Sequence, residues 1–106
     1  MNSITVNSIL PIIRNYLFTQ PIAKAWLFGS YSRGEETINS DIDILVSFEE
    51  GAKVGLFQYA NIIKDLEALL ELKVDLVEDG TLLPFIRESV NKEKVLIYEK
   101  NSLILH

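Results

Sequence analysis

The chain has 106 residues, 48% of them apolar and 24% charged, with a formal charge of −5, a length and balance that suit one globular domain with one core. Zero cysteines exclude a disulfide scaffold, a thiolate metal site and a cysteine nucleophile, and one histidine, the terminal His106, leaves no Ser-His-Asp triad or imidazole cluster to build. The acidic balance argues against broad, salt-driven contact with nucleic acid.

The first apolar periodicity, Ile9, Ile12, Ile13, Tyr16 and Leu17, is helical. It predicts a helix capped by Ser8, with Pro11 in its first turn, ending near Thr19-Gln20 before Pro21. A start near Ser3 would bring Pro11 inside the helix and kink it. Ala23 to Phe28 reads as a short buried strand with Trp26 in the core. Residues 30–40, SYSRGEETINS, are small, polar and turn-prone. Asp41 to Phe48 alternates as a second strand, and Glu49 to Gly55 is a loop. Leu56 to Glu71 is the clearest helix, with Leu56, Ala60, Ile63, Leu66 and Leu70 on one stripe. Lys73 to Val77 is a third strand and Asp79-Gly80 a turn. Thr81 to Val90 is a short helix with Thr81 as N-cap and Pro84 in its first turn. Lys94 to Glu99 is a fourth strand or a packed extension. Helices mixed with strands predict an α+β fold with a small mixed sheet and helices packed on it. With no linker, repeat or low-complexity tract, residues 1–106 read as a single domain. No apolar run approaches the ~20 residues of a membrane span. The opening MNSITVNSIL lacks the basic and apolar regions of a signal peptide. The expected location is therefore cytoplasmic, with no membrane contact.

The chemistry is concentrated in Phe28 to Val46, FGSYSRGEETINSDIDILV. Gly29 ends a strand, and its missing Cβ allows a sharp turn and close approach of a bulky ligand. Ser30 adds a hydroxyl and an N–H that can donate to a phosphate oxygen. After ten intervening residues come Asp41 and Asp43, separated by Ile42. In a strand both carboxylates face one way, while Ile42, Ile44 and Val46 enter the core. Two such carboxylates repel and favour a shared cation. Oxygen ligands select a hard one, and magnesium completes its shell with substrate phosphates. Asp75, in KVDLV, faces away from Val74 and Leu76. If its strand lies beside the Asp41–Asp43 strand, three carboxylates converge, able to hold two metals, or one metal and a base, for in-line attack on phosphorus. The plain alternatives are solvated aspartates at a strand entrance and a Ser30 that only caps its turn. Arg33 reads equally as a ligand contact or a solvated loop residue. Glu35 and Glu36 read as solvent-facing, and Lys92 and Lys94 as charged surface. The run Leu103-Ile104-Leu105 either docks on the core or covers an interface.

Gly-Ser, ten residues, then Asp-x-Asp resembles the signature of the DNA polymerase β-type nucleotidyltransferase superfamily. The spelling GSYSRG…SDIDILV and the later VDLV resemble its minimal nucleotidyltransferases, the MNT or MntA-like proteins. The resemblance implies a polymerase β-like core and transfer of a nucleoside monophosphate, AMP from ATP, to a hydroxyl with release of pyrophosphate. By position it implies that Gly29 and Ser30 contact phosphate, with Arg33 where these small proteins often carry arginine. It likewise implies that Asp41 and Asp43 are paired Mg²⁺ ligands, and that Asp75 is the third carboxylate, which helps activate the acceptor hydroxyl. The implied partner is a helical HEPN-type toxin, neutralised by AMP transfer to a tyrosine. Two other readings stay open: an antitoxin that blocks a HEPN partner without chemistry, and a stand-alone transferase acting on a small hydroxylated molecule. Oligomeric state, homo- or hetero-, is also open.

Overall fold

Ile9, Ile13 and Leu17 are buried at i, i+4 and i+8, the inner stripe of helix α1 (Val6–Leu17). The computed structural model describes residues 6–37 and 40–100, so the expectations for Leu103-Ile104-Leu105 and His106 lie outside the described residues. α1 starts ahead of Ser8, which places Pro11 inside it. Proline cannot donate to the carbonyl four residues back, that of Asn7, but Asn7 is exposed and water can serve that oxygen.

Strand β1 (Ile22–Phe28) buries Ile22, Ala25 and Leu27. The three-residue step from Ile22 to Ala25 reflects a register shift between Ile22 and Lys24 in the pairing with the next strand. Leu27 then sets the alternation, and Trp26 turns to the other face, half-buried, with Lys94 Nζ 4.3 Å from its ring centroid. This corrects the reading of Trp26 as core and of Lys94 as free charged surface. Within the stretch read as a loop lies a one-turn helix, α2 (Ser30–Arg33), closed by Gly34 at φ 72°, whose N–H returns to the Ser30 carbonyl.

Strand β2 (Ile42–Phe48) has Ile42, Ile44 and Val46 completely buried, as its alternation predicts. Helix α3 (Leu56–Leu70) buries Ile62, Leu66 and Leu70, with Tyr59 and Ile63 packed beside them. Its inner stripe is rotated from the predicted one: Leu56 and Ala60 are exposed. Two hydroxyls match this rotation, Tyr59 donating to the Leu76 carbonyl and Tyr16 donating to Asp65 Oδ2 at 2.6 Å. Strand β3 (Val74–Glu78) follows. Helix α4 (Pro84–Glu93) is capped at Leu83 with Pro84 first, not at Thr81, whose hydroxyl instead donates to the Glu78 carbonyl at 2.8 Å. α4 also continues past Val90 to Glu93. Strand β4 (Val95–Glu99) completes the sheet as a true strand.

The sheet order is β3-β2-β1-β4. β2 and β3 are parallel, joined through α3, and the other two pairs are antiparallel. The α+β fold with a mixed sheet is thus as predicted. α1 and α3 pack together over one face, where their buried stripes meet Leu27, Ile44, Leu76 and Ile97. Each fully buried aliphatic side chain there contributes about 1.5–3 kcal/mol. Leu45 and Val90 are buried outside that cluster. Leu45 alternates with Ile44 and Val46, so it shares the opposite face with Asp43. β2, central and anchored by three sealed aliphatics, is therefore a stiff support for the carboxylates on its other side. Among the described residues no helix is long and apolar enough to cross a membrane.

Candidate active site

Parallel pairing of β2 with β3 sets Asp43 directly opposite Asp75, about 4.8 Å apart at the backbone as neighbouring strands are. The adjacency that the sequence left conditional is present. Asp43 is pushed up from its ordinary 3.8 to about 6. Burial is the largest cause, followed by the hydrogen bond to Asp75 and the charges of Asp75, Asp41 and Glu93. On the other side of β2, Asp43 pairs with Phe28, the last residue of β1, so Gly29 stands beside it. Gly29 has φ 75°, and a Cβ placed there would overlap Asp43 Oδ2. Only glycine fits both demands.

Asp41 is different. It is exposed and precedes the first residue of β2, so no ladder holds it beside Asp43. It acts on Asp43 through charge. Among the described residues no group of three His, Cys, Asp or Glu side chains is drawn together closely enough to hold a metal by itself, although the charges of Asp41 and Asp75 both act on Asp43. The donor set still fits a hard divalent cation. Magnesium is held by one or two carboxylates plus substrate phosphates, and Asp43 with Asp75 supplies such a pair, all oxygen, with Asp41 two residues before Asp43. Arg33, on the neighbouring loop, is already paired with Glu35 at 2.9 Å and with Glu93 at 3.1 Å.

The proposed phosphate contacts are near one another. The Ser32 hydroxyl donates to the Gly29 carbonyl at 2.7 Å and pins the loop. The Ser30 hydroxyl has no hydrogen bond among the described residues and is free for a ligand. Glu35 is exposed but bound to Arg33, and Glu36 is half-buried, with Oε1 covered and without a partner among the described residues. Glu35 is solvent-facing as predicted, and Glu36 departs from that reading. Sequence reasoning missed Glu93. Its carboxylate accepts from the Gly29 N–H at 3.1 Å and from Arg33 Nη1. The available signal was its spacing, three residues after buried Val90 and so on the same side of α4.

Residues 10–100 match the nucleotidyltransferase domain family. The protein adenylyltransferase MntA of Thermococcus cleftensis is 45% identical over 71 residues, 67% of this chain and 70% of its own length. A solved structure described as a minimal nucleotidyltransferase superposes with a TM-score of 0.74 at 31% identity, covering 90% of this chain and 98% of its own. A toxin–antitoxin crystal structure with AMP-PNP superposes with a TM-score of 0.68 at 26% identity, covering 88% and 72%. The chain therefore belongs to the nucleotidyltransferase domain family, among its minimal, MntA-like enzymes.

Proposed function

We propose that this chain is the antitoxin of a toxin–antitoxin pair, which transfers AMP from Mg²⁺-bound ATP to a tyrosine hydroxyl of a HEPN-type toxin in the cytoplasm, residues 1–106 acting as one minimal domain. The observation that carries the reading is the facing Asp43–Asp75 pair with Gly29 pressed against Asp43. Asp41, Asp43 and Asp75 would hold Mg²⁺. Bound Mg²⁺ supplies neutralisation of the phosphate oxygens and of charge developing on the leaving group. Ser30 and Arg33 donate to the phosphates and fix their orientation. Asp75 takes the proton of the acceptor hydroxyl. The freed oxygen forms a bond to the α-phosphorus, the bond from that phosphorus to the bridging oxygen breaks, and pyrophosphate leaves with the electron pair.

The relative named protein adenylyltransferase and the toxin–antitoxin neighbour with AMP-PNP support a protein acceptor and an adenine nucleotide. The surface supports a protein acceptor too. Leu56 is 84% exposed, Phe57 89% and Phe85 73%, large apolar side chains better suited to a protein face than to a small polar acceptor.

The test is labelling with ATP carrying ³²P at the α-phosphate, Mg²⁺, and a candidate helical HEPN-type partner. Label on a partner tyrosine, lost with Asp43→Asn, is the expected result. Undiminished labelling by Asp43→Asn would refute the assignment of Asp43. Protection of cells by an unlabelling Asp43→Asn variant would replace catalysis with occlusion, and label on a small molecule alone would point to the stand-alone transferase.

A further inference from the structure

The last turn of α4 brings Glu93 back to the loop after β1, 64 residues away in sequence. One oxygen of its carboxylate accepts from the Gly29 N–H at 3.1 Å and from Arg33 Nη1 at 3.1 Å, and the other accepts from the same Nη1 at 3.2 Å. These donors belong to two of the three residues that the motif assigns to phosphate. A carboxylate and a phosphate group present the same thing to such donors, anionic oxygens at hydrogen-bond distance. With Glu93 seated, neither the Gly29 N–H nor Arg33 is free, and a further negative charge acts on Asp43 beside those of Asp41 and Asp75. Arg33 is also shared with Glu35. An arriving triphosphate meets a mouth whose one arginine is already neutralised.

We infer that Glu93 is an internal competitor for the nucleotide's phosphates: its carboxylate occupies the Gly29 N–H and Arg33, and a phosphate-bearing ligand binds by exchanging with it. This inference rests on the nucleotide-binding reading of Gly29, Ser30 and Arg33. The exchange holds nucleotide affinity down and lets the loop keep satisfied hydrogen bonds between turnovers. It also favours release of pyrophosphate, because the returning carboxylate takes back the vacated donors.

The test is titration calorimetry of the whole chain with ATP and Mg²⁺, and separately with adenosine, on wild type, Glu93→Gln and Glu93→Ala. Thermal melts confirm folding of each variant. Glu93→Gln keeps the shape but removes the charge, and Glu93→Ala removes the competitor altogether. The expected result is a Kd for ATP lowered roughly fivefold in Glu93→Gln and at least as much in Glu93→Ala, the scale of one exchanged ion pair, with adenosine unaffected. Unchanged or weaker ATP binding by folded variants overturns the inference and makes Glu93 a brace of the loop. An equal gain for adenosine overturns it as well, because the effect would then not act on phosphate. If neither wild type nor variants bind ATP, the nucleotide reading itself fails, and the inference with it.

Discussion

Asp43→Asn separates what Asp43 does for chemistry from what it does to the fold. In the metal-free protein Asp43 is half-buried, faces Asp75 and feels Asp41 and Glu93, and its carboxyl is pushed up from 3.8 to about 6. A folded-state value above the unfolded one means that the native state holds the extra proton between pH ~4 and ~6. Stability therefore falls as pH rises through that window, and above about pH 6 the full penalty of the charge is present. A rise from 3.8 to about 6 corresponds to roughly 3 kcal/mol between the two protonation states. Solvent screening at a partly exposed side chain reduces this to about 1–2 kcal/mol. Asparagine has nearly the same volume, carries no charge and can donate its amide hydrogens to Asp75. In urea unfolding with EDTA at pH 7.5, Asp43→Asn should thus exceed wild type by about 1–2 kcal/mol, a midpoint shift on the order of 1 M. At pH 5 the gap should narrow as wild type takes up its proton. The same variant should lose AMP transfer. An Asp43→Asn protein no more stable than wild type at pH 7.5, or a gap that is the same at both pH values, would refute the reasoning that charge repulsion is stored at this pair.

Gly29→Ala puts a methyl group at φ 75° and onto Asp43 Oδ2; it should cost about 1–3 kcal/mol in thermal or urea melts and lose transfer, and wild-type activity would show that the close approach is dispensable. Ser30→Ala removes a hydroxyl with no hydrogen bond among the described residues, so stability should stay within about 0.5 kcal/mol while ATP binding weakens by up to about tenfold; a large loss of stability with unchanged ATP affinity would make Ser30 structural. Glu71 caps α3 in the left-handed region, at φ 55° and ψ 38°, and is exposed. Glu71→Gly should therefore raise stability by about 0.5–1 kcal/mol, and a lowered melting temperature would contradict that account of the helix end.

What the sequence disclosed and what it withheld divide along a physical line. Ile42, Ile44 and Val46 alternate without interruption, so the buried face of β2 and the outward set of Asp43 were legible, and the apolar run of KVDLV identified the strand that carries Asp75. Trp26 is misjudged because a short apolar run reads as buried on both faces, whereas alternation with buried Ala25 and Leu27 turns it to the half-covered face where Lys94 lies. Asp41 lies one residue before the ladder begins, so strand alternation fixes Asp43 more firmly than Asp41, which acts on Asp43 through charge. Glu93 was invisible for a further reason: its partners, Gly29 and Arg33, are about sixty residues away, and contact depends on α4 running one turn past the last residue its pattern requires. The aliphatic faces follow local periodicity because burial rewards each residue separately. The charged groups do not, because their placement is unfavourable by itself and is held by the rest of the fold. Asp43 stays beside Asp75 because Ile42, Ile44 and Val46 fix β2 from behind, each contributing about 1.5–3 kcal/mol against the roughly 1–2 kcal/mol of repulsion at the pair. The core face of one strand thus supplies the stability that lets its other face carry an uncompensated charge, the condition in which a carboxylate pair is ready for a cation and a polyphosphate.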